Sequence, residues 1–100
     1  MKVNTQSVNF VADIKLIDFI QKKMDKLETF YDKIIQAEVF LKVVNTSEKE
    51  NKIFEAKLHI PGDDLIIKKQ AKSFEEAADL AVQSLERQLK KRKQKARPHV

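Results

Sequence analysis

Three stretches of this chain alternate apolar and polar residues with a period of two, and they follow one another with short interruptions. In IIQAEVFLKVV (residues 34–44), Ile35, Ala37, Val39, Leu41 and Val43 share one face, and Gln36, Glu38, Phe40 and Lys42 share the other. FEAKLHI (54–60) sets Phe54, Ala56, Leu58 and Ile60 against Glu55, Lys57 and His59. DLIIKKQAK (64–72) puts Leu65, Ile67 and Ala71 together. Side chains of a strand alternate sides at every residue, so each stretch reads as a strand with one apolar face. Ile60-Pro61-Gly62-Asp63 suits a type II turn: proline fixes φ at the second position and glycine supplies positive φ at the third. NTSEKENK (45–52) is polar and reads as a mobile hairpin loop. Strands joined this closely pair antiparallel. The result is a meander whose apolar face must be covered.

The cover comes from two stretches with helical periodicity. Asp13 stands at an N-cap position, and Ile14, Ile17, Ile20, Met24, Leu27 and Tyr31 follow at steps of three and four. That spacing predicts an amphipathic helix of roughly five turns. Ser73-Phe74-Glu75-Glu76 is a capping box, and Phe74, Ala78, Ala81, Leu85 and Leu89 continue as a stripe flanked by Ala77 and Val82. Residues 2–8, with Val3, Thr5 and Val8, suit a short first strand. The order is β-α-β-β-β-α, and the fold class is α+β: a four-stranded sheet with two helices packed side by side on one face. A single domain over residues 1–97 is expected, with 98–100 a frayed end because Pro98 disfavours helix at Arg97. One glycine in one hundred residues argues against a glycine-rich nucleotide loop. The absence of cysteine excludes disulfides and thiolate chemistry. MKVNTQSVNF has no apolar leader core, and no run approaches the ~20 residues of a membrane span, so a cytoplasmic protein is expected.

The net charge of +5 is unevenly spread. Residues 1–86 hold thirteen lysines and all fifteen acids, a balance of −2, while residues 87–100 carry +7 with no acid. With Leu85 at the centre of the buried stripe, Arg87, Lys90, Lys91 and Gln94 project on the opposite side, at the spacing of one helix face. Lys93 and Lys95 flank that face. Arg92 falls back on the line of the stripe, where an unpaired guanidinium cannot be buried cheaply. The core is therefore expected to end near Leu89, with the helix protruding beyond it, cationic all round. The macrodipole favours one or two cations at a helix C-terminus, by ~0.3–1 kcal/mol each. Seven without a compensating acid repel one another, which points to a polyanionic partner. The first helix adds Lys22, Lys23 and Lys26, interspersed with Asp18, Asp25 and Glu28, and Lys33 lies just past it. Helices side by side would join both sets in one positive face.

Other functions find less support. Membrane binding needs exposed bulky apolar residues beside the lysines, and after Leu89 only Ala96 and Val100 are apolar. Stacking of single-stranded RNA needs exposed aromatics, of which Phe40 is the clear outward candidate. Contact with phosphates and RNA shape is favoured over base reading. His59 and His99 are unrelated in position, which gives no metal site. Asp63-Asp64 beside Pro-Gly are turn residues, and Ser73 is a cap. No catalytic constellation, cofactor or small-molecule substrate is implied, so an enzyme is not expected.

KLETFYDKI (26–34), FLKV (40–43), AKLHIPG (56–62) and ERQLKKRKQK (86–95), in this order along the β-α-β-β-β-α pattern, resemble the short ribosome hibernation-promoting factors and the related ribosome-associated inhibitor proteins. The resemblance spans essentially the whole chain. It implies a cytosolic, non-enzymatic protein that binds small-subunit rRNA in the mRNA and tRNA channel and blocks initiation on ribosomes idled by stress or stationary phase. It also implies RNA-binding roles residue by residue. Lys23 and Lys26 match lysines of the family's first helix, and Arg87 matches the arginine of its R-Q-L motif. Lys91, Lys93 and Lys95 match the alternating lysines after that motif. Lys22 and Lys90 are basic beside those positions, and Arg92 adds charge where the pattern fixes none. With the chain ending at Val100, the short form is expected, and a helper factor in ribosome dimerisation is a further partner the resemblance allows. Two rivals stand beside this reading: a general structured-RNA module of the double-stranded-RNA-binding type, and an interaction protein whose basic helix docks on an acidic partner.

Overall fold

The computed structural model describes residues 1–44, 47 and 49–96, with side chains through Lys93. Lys95 is described in its backbone alone, and the expected frayed end at 98–100 lies outside the described residues, as do Asn45, Thr46 and Glu48 of the expected mobile loop. Strand β1 (Lys2–Ser7) leads to helix α1 (Ile14–Asp25), which runs on as a 3-10 turn over Lys26–Thr29. Strands β2 (Gln36–Val43), β3 (Lys52–Ile60) and β4 (Asp63–Ala71) follow, and helix α2 (Phe74–Ala96) closes the order. The sheet order is β1-β2-β3-β4. β1 pairs parallel with β2 across the α1 crossover, and the other pairs are antiparallel.

Register sets which residues meet the helices. Leu41 lies opposite Phe54, Val39 opposite Ala56, and Ala37 opposite Leu58, all on the inner face and all buried. Ile20, Met24 and Leu27 come down on this face from α1 and the 3-10 turn, and Leu85 and Leu89 from α2. Ala77, Ala78 and Ala81 have no exposed surface, and small side chains there let α2 lie close to the sheet. Both predicted caps form: Lys15 N donates to the Asp13 carboxylate at 3.1 Å, and Glu76 N donates to Ser73 Oγ at 3.1 Å. Gly62 has φ +79° at the β3–β4 turn, the conformation the Pro-Gly pair predicts. Phe10, in the β1–α1 connection, stacks on Phe74 at 5.3 Å between centroids and ties the two helix starts together.

The buried stripe of α1 differs from the one its isoleucines suggest. Ile14 is 71% exposed and Ile17 38%, while Leu16 and Phe19 pack against the core. Each step of three turns the helix back by about 60°, so Ile14 ends up about 120° from Ile20 and leaves the face. The α-helix also stops at Asp25. Tyr31 lies beyond it, and its N–H bonds Leu27 O at 3.1 Å. Ile35, just before β2, and Val43, at its last position, are exposed.

Candidate nucleic-acid interface

The two sides of the molecule carry charge differently, and the difference begins with strand alternation. Residues rejected from the core on β2, β3 and β4 form the outer sheet face, where cross-strand neighbours of opposite sign attract. Glu55 takes Lys42 at 3.6 Å and Lys68 at 3.7 Å, and Asp64 takes Lys57 at 3.8 Å. His59 sits between two carboxylates, with Nδ1 2.7 Å from Asp64 and Nε2 2.9 Å from Glu38. This face is a balanced lattice with little net field.

His59 makes the lattice pH-sensitive. Both ring nitrogens face acceptors, so both must donate, which requires the imidazolium. The hydrogen bond to Glu38, then that to Asp64, raises its pKa above the usual 6.5. A raised folded pKa gives stability that is full below the unfolded value and lost as pH rises through the folded one. Urea unfolding of wild type and His59→Gln should therefore differ most at acid pH, the gap narrowing as pH climbs past 6.5. The N-terminal ammonium, raised from 8.0 by its hydrogen bonds to Glu28 and Asp25, acts with the same sign at higher pH, so the comparison is made below that value.

The helix side is not balanced. Asp25 and Glu28, which in sequence interrupt the lysines of the first helix, both turn to the Met1 ammonium on the β1 side. Gln21 holds that arrangement, donating to Met1 O and to Asp25 at 3.0 Å each. Lys22 and Lys26 are left exposed and form no ion pair with a described residue. Lys23 reaches across to α2 instead, pairing with Asp79 at 2.8 Å with its ammonium 5.4 Å from the Phe19 ring. That pair marks the flank of each helix that faces the other. Lys26 lies three residues after Lys23, and Lys90 and Lys93 lie eleven and fourteen after Asp79, so all three belong to these facing flanks.

Arg87, Lys90, Lys91 and Lys93 are exposed, as phasing from Leu85 requires, and none pairs with a described acid. Lys90 places its ammonium 4.7 Å from the centroid of the Phe30 ring. Lys91 lies toward β4, lining a shallow cleft with Leu65, Gln88 and Arg92. Lys95 lies on α2 with its side chain outside the described residues.

Two features escape sequence reasoning. Arg92, on the line of the buried stripe, is ion-paired with Asp63 at the β3–β4 turn. The expectation of a helix cationic all round beyond Leu89 is thus corrected: on the sheet side the guanidinium is neutralised, and its charge is removed from the open face. The signal was present in the cost of an unpaired guanidinium, but the partner lies twenty-nine residues away. Phe30 is the other, half-buried under Lys90, and no periodicity marks it.

Among the described residues, no group of His, Cys, Asp and Glu could hold a metal ion, and no helix is long and apolar enough to cross a membrane. What the arrangement can do is bind: a two-helix surface with six exposed cations that have no acidic partner among the described residues.

Residues 3–97 match the model of the sigma 54 modulation protein / S30EA ribosomal protein family. The chain is 33% identical to a ribosome hibernation promoting factor of Klebsiella oxytoca, over 99% of this chain and 100% of that protein. In fold it is similar to a ribosomal subunit interface protein from Coxiella burnetii, with a TM-score of 0.81 at 22% identity, covering 93% of this chain and 98% of that one. The N-terminal domain of Thermus thermophilus Protein Y is also similar, with a TM-score of 0.79 at 23% identity, covering 91% and 98%.

Proposed function

Because the chain belongs to the sigma 54 modulation / S30EA ribosomal protein family, we propose that it is a cytoplasmic ribosome hibernation factor, acting by binding rather than catalysis. Its partner is the small ribosomal subunit, met through rRNA in the mRNA and tRNA channel, and occupancy of that channel blocks initiation on idle ribosomes. The observation that carries this reading is the sorting of charge. Exposed cations without described acidic partners gather on the helix layer, while the cations on the outer face of β2, β3 and β4 are neutralised across strands. Lys22, Lys26, Arg87, Lys90, Lys91 and Lys93 make the phosphate contacts, with Lys95 continuing their line along α2. Lys23 contributes least to the field, since Asp79 already neutralises it, and serves to hold the two helices at a fixed spacing.

The test is sedimentation with isolated small subunits over a range of salt. With about six phosphate contacts, log K should fall against log salt with a slope of about −4 to −5. Messenger RNA with tRNA should displace the protein. A slope near zero, or tighter binding to isolated RNA hairpins than to small subunits, would refute the channel reading, and the second result would favour a general duplex-RNA module.

A further inference from the structure

We infer that the cleft between the 3-10 turn and the C-terminal half of α2 is a subsite for one unstacked purine nucleotide of the bound RNA, with guanine preferred. The inference rests on the ribosome-binding reading and adds a base-reading element to what is otherwise a phosphate-binding face. The cleft has a volume of about 350 Å3 and is lined by Glu28, Phe30, Tyr31, Asp32, Lys33 and Lys93. That volume lies in the range of small-ligand clefts and admits a single nucleotide.

Three kinds of group converge there, each matched to a part of a nucleotide. Phe30 and Tyr31 are half-buried aromatics, and an aromatic beside an open cleft is a platform for a base. Their backbone is fixed, because both N–H groups bond Leu27 O at 3.1 Å. Lys90 covers one face of Phe30, and the Tyr31 hydroxyl bonds no described residue. Lys33, in the segment after the 3-10 turn, and Lys93, on α2, both line the cleft and supply cations for the phosphates flanking the base. Asp32 is exposed and forms no ion pair with a described residue, whereas Glu28 is bound to the Met1 ammonium. An ionised carboxylate only accepts hydrogen bonds. The Watson–Crick edge of guanine offers two adjacent donors to it, while adenine offers one donor beside a repelling acceptor. Sequence-specific RNA recognition takes this form, with an unpaired base splayed out, stacked and read on its edge.

The experiment titrates the full chain with GMP, AMP and the single-stranded RNA tetranucleotide AAGA, following backbone amide shifts by NMR. Saturable shifts over residues 28–33 and near Lys93 are expected, with GMP bound at least about threefold more tightly than AMP and AAGA about tenfold more tightly than GMP. Asp32→Asn should erase the GMP preference, and Lys33→Ala with Lys93→Ala should weaken AAGA by about tenfold or more. These residues are exposed, so the fold survives the changes. Absence of saturable shifts at residues 28–33 with every probe overturns the subsite, as does a GMP preference that survives Asp32→Asn. Equal affinity for GMP and AAGA overturns the assignment to an RNA strand and leaves a free-nucleotide site. Small-subunit sedimentation of the same preparation keeps the two readings apart. Sedimentation without nucleotide shifts refutes the cleft alone, and shifts without sedimentation refute the ribosome reading.

Discussion

Reversing one charge on each helix, Lys26→Glu with Arg87→Glu, is expected to weaken small-subunit binding by two orders of magnitude or more at moderate salt, with the melting temperature almost unchanged. Both side chains are exposed and neither pairs with a described acid, so folding loses no contact and the stability change should stay within about 0.5 kcal/mol. Each charge-assisted contact to a phosphate contributes about 1.5–3 kcal/mol, and two reversals remove two contacts and add repulsion. The variant also lowers the net charge from +5 to +1, which could slow encounter with RNA wherever the charge was taken from. The control is therefore Lys2→Glu with Lys49→Glu, which makes the same change of charge at exposed positions away from the helix layer. It should bind within a few-fold of wild type. If both double variants lose affinity equally, the attraction is a property of net charge and the helix face is not a site. The salt slope separates the cases again: two lost contacts should make it shallower by about 2 for the helix pair alone.

Local rules placed the strands, the Pro-Gly turn, both caps and the stripe of α2, because each depends on neighbours within a few residues. Phasing from Leu85 to Arg87 and Lys90 needs only the helix repeat, and the exposure of both followed from it. Charge pairing has no such locality. Asp25 and Glu28 look like i, i+4 partners for the first helix's lysines, yet both turn to an ammonium twenty-four and twenty-seven residues away. Arg92 looked like a free cation and is held by the turn before β4. These three pairings decide which cations remain on the open face, and only the assembled fold could reveal them. The stripe of α1 failed for a different reason. Isoleucines at steps of three satisfied a pattern count while drifting around the helix, and Leu16 and Phe19, one residue out of the counted phase, took the inner positions.

Replacing Phe54 by alanine should produce the opposite phenotype, a large loss of stability with the binding surface intact in every molecule that stays folded. Phe54 is fully buried on β3, a central strand, with Leu41 and Lys69 as its register partners. Removing a buried phenyl ring costs about 3–5 kcal/mol, because the lost transfer energy is joined by the energy of the cavity. Domains of this size have about 5–15 kcal/mol in total, and each kcal/mol moves the midpoint by about 4–8 °C. The melting temperature should therefore fall by roughly 15–30 °C, read by circular dichroism. The proposed contact side chains are exposed, and they ride on helices whose buried residues share one core cluster with Phe54. At a temperature where the variant remains folded, its affinity for small subunits should match wild type within a few-fold, and the salt slope should not change. Loss of affinity in the folded variant would mean that the spacing of the two helices, which Lys23 and Asp79 bridge, depends on packing at Phe54. The face would then be formed on binding, not presented ready-made, and the electrostatic mechanism would need an added cost of ordering.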